Sequence, residues 1–520
     1  MKLGKNYIGN AYISKGNKKF KTFNPLLNLE NPFEFTEATP DEIHTAVDLA
    51  WDAFKSYRKT SGKAKAHFLN TIADELTSIE EEIVEIYGQE SGLPEGRAKG
   101  ELGRTIFQLR TFANLVEEGN WVEARINANS HHPNKPDLRQ YNIPLGPVVV
   151  FGASNFPLAY STAGGDTASA LASGCPVIVK SHPMHAGTGT LVASAIVKAV
   201  QKTGMPNGVF SNLNSSGTEV GRLLVLHPKV KAVGFTGSIK GGRALFDLAT
   251  SRPEPIPVFA EMGSINPVVF LNHSLSEKEN KWAETYANSS TLGAGQFCTN
   301  PGLIIGIKSD EFLTFANNLA HKTETAQAQC MLHPKLYTHY EHLKNENLCQ
   351  AKVQTLSSVT PHQELSSVSG TVALVDAATF IENPLLHREV FGPFSLLVQC
   401  DDYAQMEHLI DALEGQLTGT IIGTEKELVA QSQILEALQN KVGRLIFNGV
   451  PTGVEVCPSM THGGPYPAST DSRFTAVGIN AIKRWVRPFS FQDFPDALLP
   501  NALKRTNPDT LKRSNHEYGV

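Results

Sequence analysis

No pair of cysteines in this 520-residue chain is spaced as Cys-x-x-Cys. The six cysteines stand at 175, 298, 330, 349, 400 and 457, an arrangement that supports neither a zinc site nor a redox dithiol. Their low density fits a reducing compartment. No apolar run approaches the ~20 residues needed to span a bilayer. The first residues, Met1-Lys-Leu-Gly-Lys-Asn-Tyr7, lack the apolar core of a secretion signal. A basic footprint for nucleic acid is missing too, since the net charge is −5. Internal repeats and low-complexity blocks do not stand out. These absences leave a soluble cytoplasmic protein with neither a membrane nor a nucleic acid as partner. Its hydrophobic content of 41% and charged content of 19% are ordinary for a globular chain. Its length is too great for one core, so two or three domains are expected.

What is present begins with strands and loops over 1–38. Thr39-Pro40-Asp41-Glu42 then opens a helix, with Thr as N-cap, Pro at the first helical position and Glu three residues after the cap. Apolar spacing predicts a second helix over 64–88 and a third from about Pro94 to Glu117. Between 121 and 147 the pattern alternates on either side of a turn at His131–Pro136, which predicts a projecting β-hairpin. From 147 onward short Val/Ile runs alternate with helices: 147–151, 176–180, 209–213 and 231–235, with helices at 161–173 and 187–203 between them. Such runs are buried on both faces and imply a parallel, doubly wound sheet of the nucleotide-binding kind. After the proline-rich Arg252–Pro257 a second α/β alternation runs to about 450, with strands expected near 267–271, 303–308, 386–391, 395–400, 418–423 and 443–448. The region 340–385 is weakly patterned. A short alternating piece follows at 482–491.

The usual G-x-G-x-x-G is absent after the first parallel strand, where Phe151-Gly-Ala-Ser-Asn-Phe-Pro157 stands instead. A later strand ends in Gly234-Phe-Thr236-Gly237-Ser238 ahead of a helix, a turn that offers N–H groups and hydroxyls to a pyrophosphate but more often serves packing. Lys180 closes a strand and is followed by Ser181-His182-Pro183. Glu261 closes an apolar run, where low dielectric would favour a general base, and Glu389 lies in Glu389-Val-Phe-Gly-Pro-Phe394. For each lysine or glutamate an exposed terminus is the plainer reading. Thr291-Leu-Gly-Ala-Gly-Gln-Phe-Cys298 presents a thiol on a glycine-rich turn between a helix at 275–290 and a strand at 303–307. That thiol is either a nucleophile or an inert core cysteine. His182-Pro-Met-His185 has a ligand-like spacing, but Pro183 makes it a loop, and no metal site is expected.

Taken in order, Asn155-Phe156-Pro157, Lys180, Phe235-Thr-Gly-Ser238, Glu261-Met-Gly263, Gly295-Gln-x-Cys298 and Glu389-x-Phe-Gly-Pro393 resemble the aldehyde dehydrogenase superfamily over nearly the whole chain. The resemblance implies an α/β fold. A parallel-sheet NAD(P)-binding domain would cover 1–120 and 148–260, an α/β catalytic domain 261–477, and a small β oligomerisation region 121–147 and 478–520. It implies Cys298 as nucleophile, Asn155 with the Cys298 backbone N–H as oxyanion hole, and Glu261 as the base for thioester hydrolysis. Glu389 and Phe391 would hold the nicotinamide end, Lys180 the adenosine ribose, and Gly237 and Ser238 the pyrophosphate. The glycines at 293 and 295 would make room for the nicotinamide, and Phe297 would wall the aldehyde tunnel with Phe156 and Tyr160.

Where many NAD-preferring members carry Lys-Pro-x-Glu, this chain has Lys180-Ser181-His182-Pro183. Without the acid, a 2′-phosphate meets no repulsion and could be attracted by Lys180, Ser181 and His182, so NADP is expected to be accepted, and favoured over NAD. Longer matches, including Phe259-Ala-Glu-Met-Gly-Ser-Ile-Asn-Pro267 and His462-Gly-Gly-Pro-Tyr-Pro467, resemble the 2-oxoglutaric semialdehyde dehydrogenases. The NADP-dependent fatty aldehyde dehydrogenases are the alternative. A carboxylate-bearing substrate would need a cation, with Arg104, Arg110 and Arg473 as candidates, each more plainly read as a surface ion pair. A homodimer or homotetramer is implied. Of a different class are a cysteine hydrolase, for which no histidine sits in a motif suggesting the base, and a non-catalytic relative.

Overall fold

The computed structural model describes residues 4–127, 136–276, 279–357 and 366–505. Its first sheet has seven strands. Five are parallel and lie in the order Val258–Glu261, Ala232–Thr236, Val148–Phe151, Val177–Lys180, Phe210–Leu213. Asn6–Ile8 and Ala11–Ile13 extend the sheet antiparallel beyond Phe210–Leu213. The continuous Val/Ile runs are explained by burial on both faces. Val148, Val150, Val177 and Val179 pack with the helices Gly62–Thr77, Glu95–Glu118, Gly165–Ser173 and Ala186–Lys202. Val149, Phe151, Ile178 and Val233 pack with Pro40–Tyr57 and Glu219–Leu226 on the other side. The chain winds outward from Val148–Phe151 in one direction and then returns to its other side at Ala232–Thr236. A crevice opens at such a reversal, beyond the carboxyl ends of the two strands. Asn155 and Gly237-Ser238 follow those two ends.

The Thr39 capping box forms as its sequence predicts, with Thr39 Oγ1 accepting from Glu42 N and Glu42 reaching back to Thr39 N. The single helix expected over 64–88 is two helices, Gly62–Thr77 and Glu80–Ser91. Ile79 leaves the helical region at φ −124°, ψ 28°, yet the apolar spacing stays in phase across the break, so periodicity alone hides it.

The second sheet runs Gln354–Thr355, Thr371–Asp376, Phe394–Cys400, Leu303–Ile307, Val268–Phe270, Gln416–Ile422, Val442–Phe447, parallel except at the Gln354–Thr355 edge. Two expectations need correction. The stretch 386–391 is not a strand: Asn383 caps a 3₁₀ turn over Pro384–His387, with Pro at its start, and a loop follows. Conversely, the weakly patterned region contains the helix Pro334–Leu348 and the buried strand Thr371–Asp376.

A third sheet pairs Arg125–Asn127 with Leu138–Pro144, and Val486–Gln492 with Leu138–Pro144. The hairpin and the late alternating piece are therefore one antiparallel unit. The turn expected at 131–136 lies almost wholly outside the described residues. Arg139, 3% exposed, ties the unit together through Asp137, Asp496 and the Leu503 carbonyl. Among the described residues no helix is long and apolar enough to cross a membrane.

Candidate active site

The strand Val258–Glu261 is the outer edge of the first sheet, and Val268–Phe270 lies inside the second. Residues 262–267 carry the chain across. Glu261 is fixed at the start of this crossing by a bridge to Ser469 and by the hydrogen bond from Met262 N to Ala468 O. At its other end Asn266 adopts a left-handed φ of 47° and is fully buried. Its amide nitrogen donates to the carbonyls of Cys298 (2.9 Å) and Asn300 (2.8 Å), and its oxygen accepts from Ser264 Oγ and Thr418 Oγ1. Asn266 is thus the splint that holds the cysteine loop to the second sheet, a role that sequence reading missed. Replacing it with alanine strands the Cys298 carbonyl and the Thr418 hydroxyl, takes one partner each from the Asn300 carbonyl and the Ser264 hydroxyl, and puts a non-polar residue at positive φ. Asn266→Ala is expected to destabilise the fold by roughly 2–4 kcal/mol, read as a lowered urea midpoint.

Cys298 follows a turn in which Gly293, Ala294 and Gly295 all have φ between 55° and 64°. The glycines were expected to make room for a nicotinamide; what they clear is the protein itself. A Cβ on Gly295 would meet Gly392 and Pro393 backbone at 2.3–2.4 Å, and one on Gly293 would meet the Phe297 ring at 2.9 Å. The turn and the Phe391-Gly392-Pro393 loop therefore press backbone against backbone, beside Glu389.

At the centre, His462 Nε2 stands 2.7 Å from Glu261 Oε2 and 3.6 Å from Cys298 Sγ. No motif pointed to a histidine as the base, yet the fold brings His462 to the sulfur. His462 sits in glycine-rich coil, where only the fold brings it to the cysteine. It is held by Thr475 Oγ1, which accepts from its N–H, and by Ala476 N, which donates to its carbonyl. Thiol, imidazole and carboxylate form a triangle: His462 meets both partners through the same Nε2, and Glu261 also reaches the sulfur directly. The three ligand atoms also lie within 4.8 Å of one another, a donor set able to hold a metal ion, where no metal site was expected. Burial pushes the Cys298 thiol well up, and the negative charges of Glu261 and Glu389 push it further. The thiol is therefore protonated at rest and needs a base within reach.

Asn155 comes to the same place: its Nδ2 donates to the Gln296 carbonyl at 3.0 Å, leaving its other N–H free. Phe156, Tyr160 and Phe297 form one aromatic wall, with ring centroids 5.2 Å apart for Phe156–Tyr160 and 5.5 Å for Phe156–Phe297. Tyr160 is 6.2 Å from the His462 ring. Of the three candidate arginines only Arg104 reaches this wall, donating to the Tyr160 hydroxyl at 3.4 Å. Arg110 is exposed and paired with Asp74, and Arg473 is exposed and paired with Asp471, so neither joins the site.

On the cofactor side, Ser238 caps the helix Ile239–Thr250, with its Oγ accepting from Gly241 N. Gly237 is obliged by the Phe235 ring, which a Cβ would meet at 2.6 Å. Lys180 ends its strand with its pKa lowered to about 8 by burial, offset by the charge of Glu37. Glu37 is an acid near Lys180 that the sequence motif does not contain; it accepts from Ser216 N and pairs with Lys18. His182 is neutral, held well below its usual range by burial and by His185, Lys180 and His333. Ser181 is 1% exposed with its hydroxyl turned inward, flanking the same spot over Gly189 as Thr162, so it is not presented beside Lys180. Glu389 packs its carboxylate against Gly263 and is pushed up to about 7 by burial, against a hydrogen bond from the Ser264 backbone. It shares a cavity wall with Phe391, Gly295 and Phe297. A cationic strand end, a capped helix N-terminus and a buried carboxylate beside the sulfur are a donor set that fits a nicotinamide dinucleotide.

The chain belongs to the aldehyde dehydrogenase family, whose model matches residues 12–470. It is an oxidoreductase acting on aldehydes with NAD(P). Among individual relatives, it is 45% identical over 483 residues to alpha-ketoglutaric semialdehyde dehydrogenase 2 of Azospirillum brasilense, covering 92% of each chain. It is 43% identical over 515 residues to alpha-ketoglutaric semialdehyde dehydrogenase of Acinetobacter baylyi, covering 98% of this chain and 97% of that one. The fold is shared with methylmalonate-semialdehyde dehydrogenase of Oceanimonas doudoroffii, at a TM-score of 0.82 and 18% identity over 95% of this chain and 99% of that one. It is shared too with a Thermus 1-pyrroline-5-carboxylate dehydrogenase with bound NAD, at a TM-score of 0.80 and 20% identity over 94% and 93%.

Proposed function

We propose that this protein oxidises 2-oxoglutaric semialdehyde to 2-oxoglutarate through a thioester on Cys298, with NADP favoured over NAD. The observation that carries the substrate is the 45% and 43% identity to two semialdehyde dehydrogenases over more than nine-tenths of the chain. The long-chain aldehyde and hydrolase readings have no comparable support.

In this mechanism the Cys298 proton passes to His462 Nε2, 3.6 Å away, as the sulfur attacks the aldehyde carbon, and it returns to the sulfur when the thioester is hydrolysed. The resulting oxyanion is met by the free N–H of Asn155 and the Cys298 backbone N–H, a donor pair of the kind worth about 3 kcal/mol for each donor removed. A bound nicotinamide supplies the hydride acceptor. Glu261 then takes a proton from the water that hydrolyses the thioester, and His462 at 2.7 Å steadies its charge. Glu389, whose carboxyl is pushed up to about 7 by burial, and Phe391 line the place of the nicotinamide end.

Cofactor choice rests on the charge of Lys180, with His182 beside it as an uncharged ring. Lys180 is left short of counter-charge because Glu37 is itself engaged by Lys18 and Ser216. A 2′-phosphate would complete that balance. The hairpin 121–147 with 478–520 is proposed as the oligomerisation region of a homodimer or homotetramer, beside the NAD(P)-binding part (1–120, 148–260) and the catalytic part (261–477).

One assay tests the reading: NAD(P)H formation with 2-oxoglutaric semialdehyde and with a long-chain aldehyde, using each cofactor. The semialdehyde with NADP is expected to give the highest kcat/KM. A higher value for the long-chain aldehyde would overturn the substrate, and a strong preference for NAD would overturn the cofactor assignment.

A further inference from the structure

We infer that a carboxylate-binding subsite lies between Arg104 and Arg444, beside Tyr160, and grips the anionic end of an oxo-acid aldehyde whose carbonyl sits at Cys298. The inference rests on the reading of the substrate as a semialdehyde acid and adds the residues that would select it.

The two arginines come from distant parts of the chain and converge on one short loop. Arg104, on the helix Glu95–Glu118, donates through Nη1 to the Val454 carbonyl and through Nη2 to the Tyr160 hydroxyl. Arg444, on the strand Val442–Phe447, donates through Nη2 to the carbonyls of Pro451 (2.9 Å) and Gly453 (3.1 Å) and through Nη1 to Gly453 (3.2 Å). Its remaining contact is the Met460 sulfur at 3.9 Å. These partners are all neutral. The Nε of each arginine is buried without a hydrogen-bond partner.

Other arginines in and around the molecule's interior differ. Arg139 and Arg484 are each 3% exposed and face aspartates, Asp137 and Asp166. Arg97 lies over the rings of Phe156 (4.4 Å) and Phe297 (4.7 Å), but it is paired with Glu101 at 3.5 Å. Arg252 has only carbonyl partners, four of them, and no orphaned nitrogen. Two half-buried guanidiniums with carbonyl partners and spare donors therefore stand together only here among the described residues. Such a pair is costly to desolvate unless an anion joins it, and an arginine offers a planar fork that matches a carboxylate.

The pair is also near the chemistry. Tyr160, which accepts from Arg104, packs on Phe156 and lies 6.2 Å from the His462 ring. Burial lowers the Arg444 pKa, while the charged forms of Cys298 and Tyr160 would raise it, which places all three within electrostatic reach. A short dicarboxylic semialdehyde would bring its carboxylate to these cations, whereas an alkyl tail would leave them uncompensated. The same pair thus selects for the acid and against a fatty chain.

The test compares 2-oxoglutaric semialdehyde with pentanal, an uncharged aldehyde of equal carbon count, for wild type, Arg104→Met, Arg444→Met and the double variant. The ratio of kcat/KM for the semialdehyde to that for pentanal is expected to fall about tenfold to a hundredfold in each single variant and further in the double. Arg104→Lys and Arg444→Lys keep the charge and guard against loss of the loop contacts; they are expected to recover part of the ratio. A second reading needs no turnover: glutarate should raise the melting temperature of the wild type and not of the double variant. A ratio unchanged within about twofold in both Met variants, or equal stabilisation by glutarate, would overturn the subsite. Absence of semialdehyde oxidation by the wild type would instead overturn the proposed substrate, with the glutarate measurement still deciding whether an anion binds between the arginines.

Discussion

Cys298→Ala is expected to lower aldehyde-dependent NAD(P)H formation by about 10⁴-fold or more while leaving the fold intact. The sulfur is the one nucleophile on the cysteine loop facing His462, and the loop itself is held by backbone carbonyls and Asn266, not by the thiol. Removing the sulfur therefore removes the covalent step without removing its supports. Circular dichroism and a urea midpoint near wild type would show that the fold is kept. Residual turnover within about tenfold of wild type would place the nucleophile elsewhere.

Glu261→Gln is expected to have two effects of opposite sense. Turnover should fall by roughly 10²–10⁴-fold, because the water that releases the acid loses its base. Alkylation of Cys298 by iodoacetamide should instead move to lower pH. The sign follows from the charges around the sulfur. Burial and the neighbouring anions of Glu261 and Glu389 disfavour a thiolate, so the thiol's pKa lies well above its ordinary value. Neutralising Glu261 removes one of those anions, and the thiolate then forms at a lower pH. Mass spectrometry of the variant mixed with aldehyde and cofactor should show an acyl adduct on Cys298 that persists longer than in wild type. An alkylation profile that stays put or moves upward would mean that Glu261 does not act on the sulfur in this way.

The parts of the site that could be read from sequence share a physical origin. Asn155, Lys180, Ser238 and Glu261 sit at or just after the carboxyl ends of short apolar strands, with the Val/Ile runs of Val148–Phe151 and Val177–Lys180 the clearest of them. A parallel sheet delivers such positions to one edge whatever the loops do. Cys298 was legible for another reason, since its glycine-rich turn announces a backbone that must bend. What escaped was what depends on long-range closure. His462 lies in coil without periodicity, and Asn266 acts through a buried side chain rather than at a surface.

Among the secondary elements, the apolar residues at 386–391 imitate a strand while Pro384 and the Asn383 cap make a 3₁₀ turn. Arg444 was passed over because it lies on a strand that was expected, with nothing in its spacing to say that its head would turn to the carbonyls of Pro451 and Gly453. The glycines at 293 and 295 were recognised as necessary, but for a ligand rather than for Phe297 and the backbone of Gly392 and Pro393.

The crossing at 262–267 has a consequence for how this chain can vary. Base and nucleophile belong to different sheets, and those six residues are the covalent ruler between them. One inserted residue adds about 3.5 Å of extended chain. That length is of the same size as the spacing of the site itself, where the ligand atoms of Glu261, Cys298 and His462 lie within 4.8 Å of one another. Loops remote from the site can lengthen or shorten without moving the chemistry. This segment cannot, and its length is as much a part of the active site as any side chain in it.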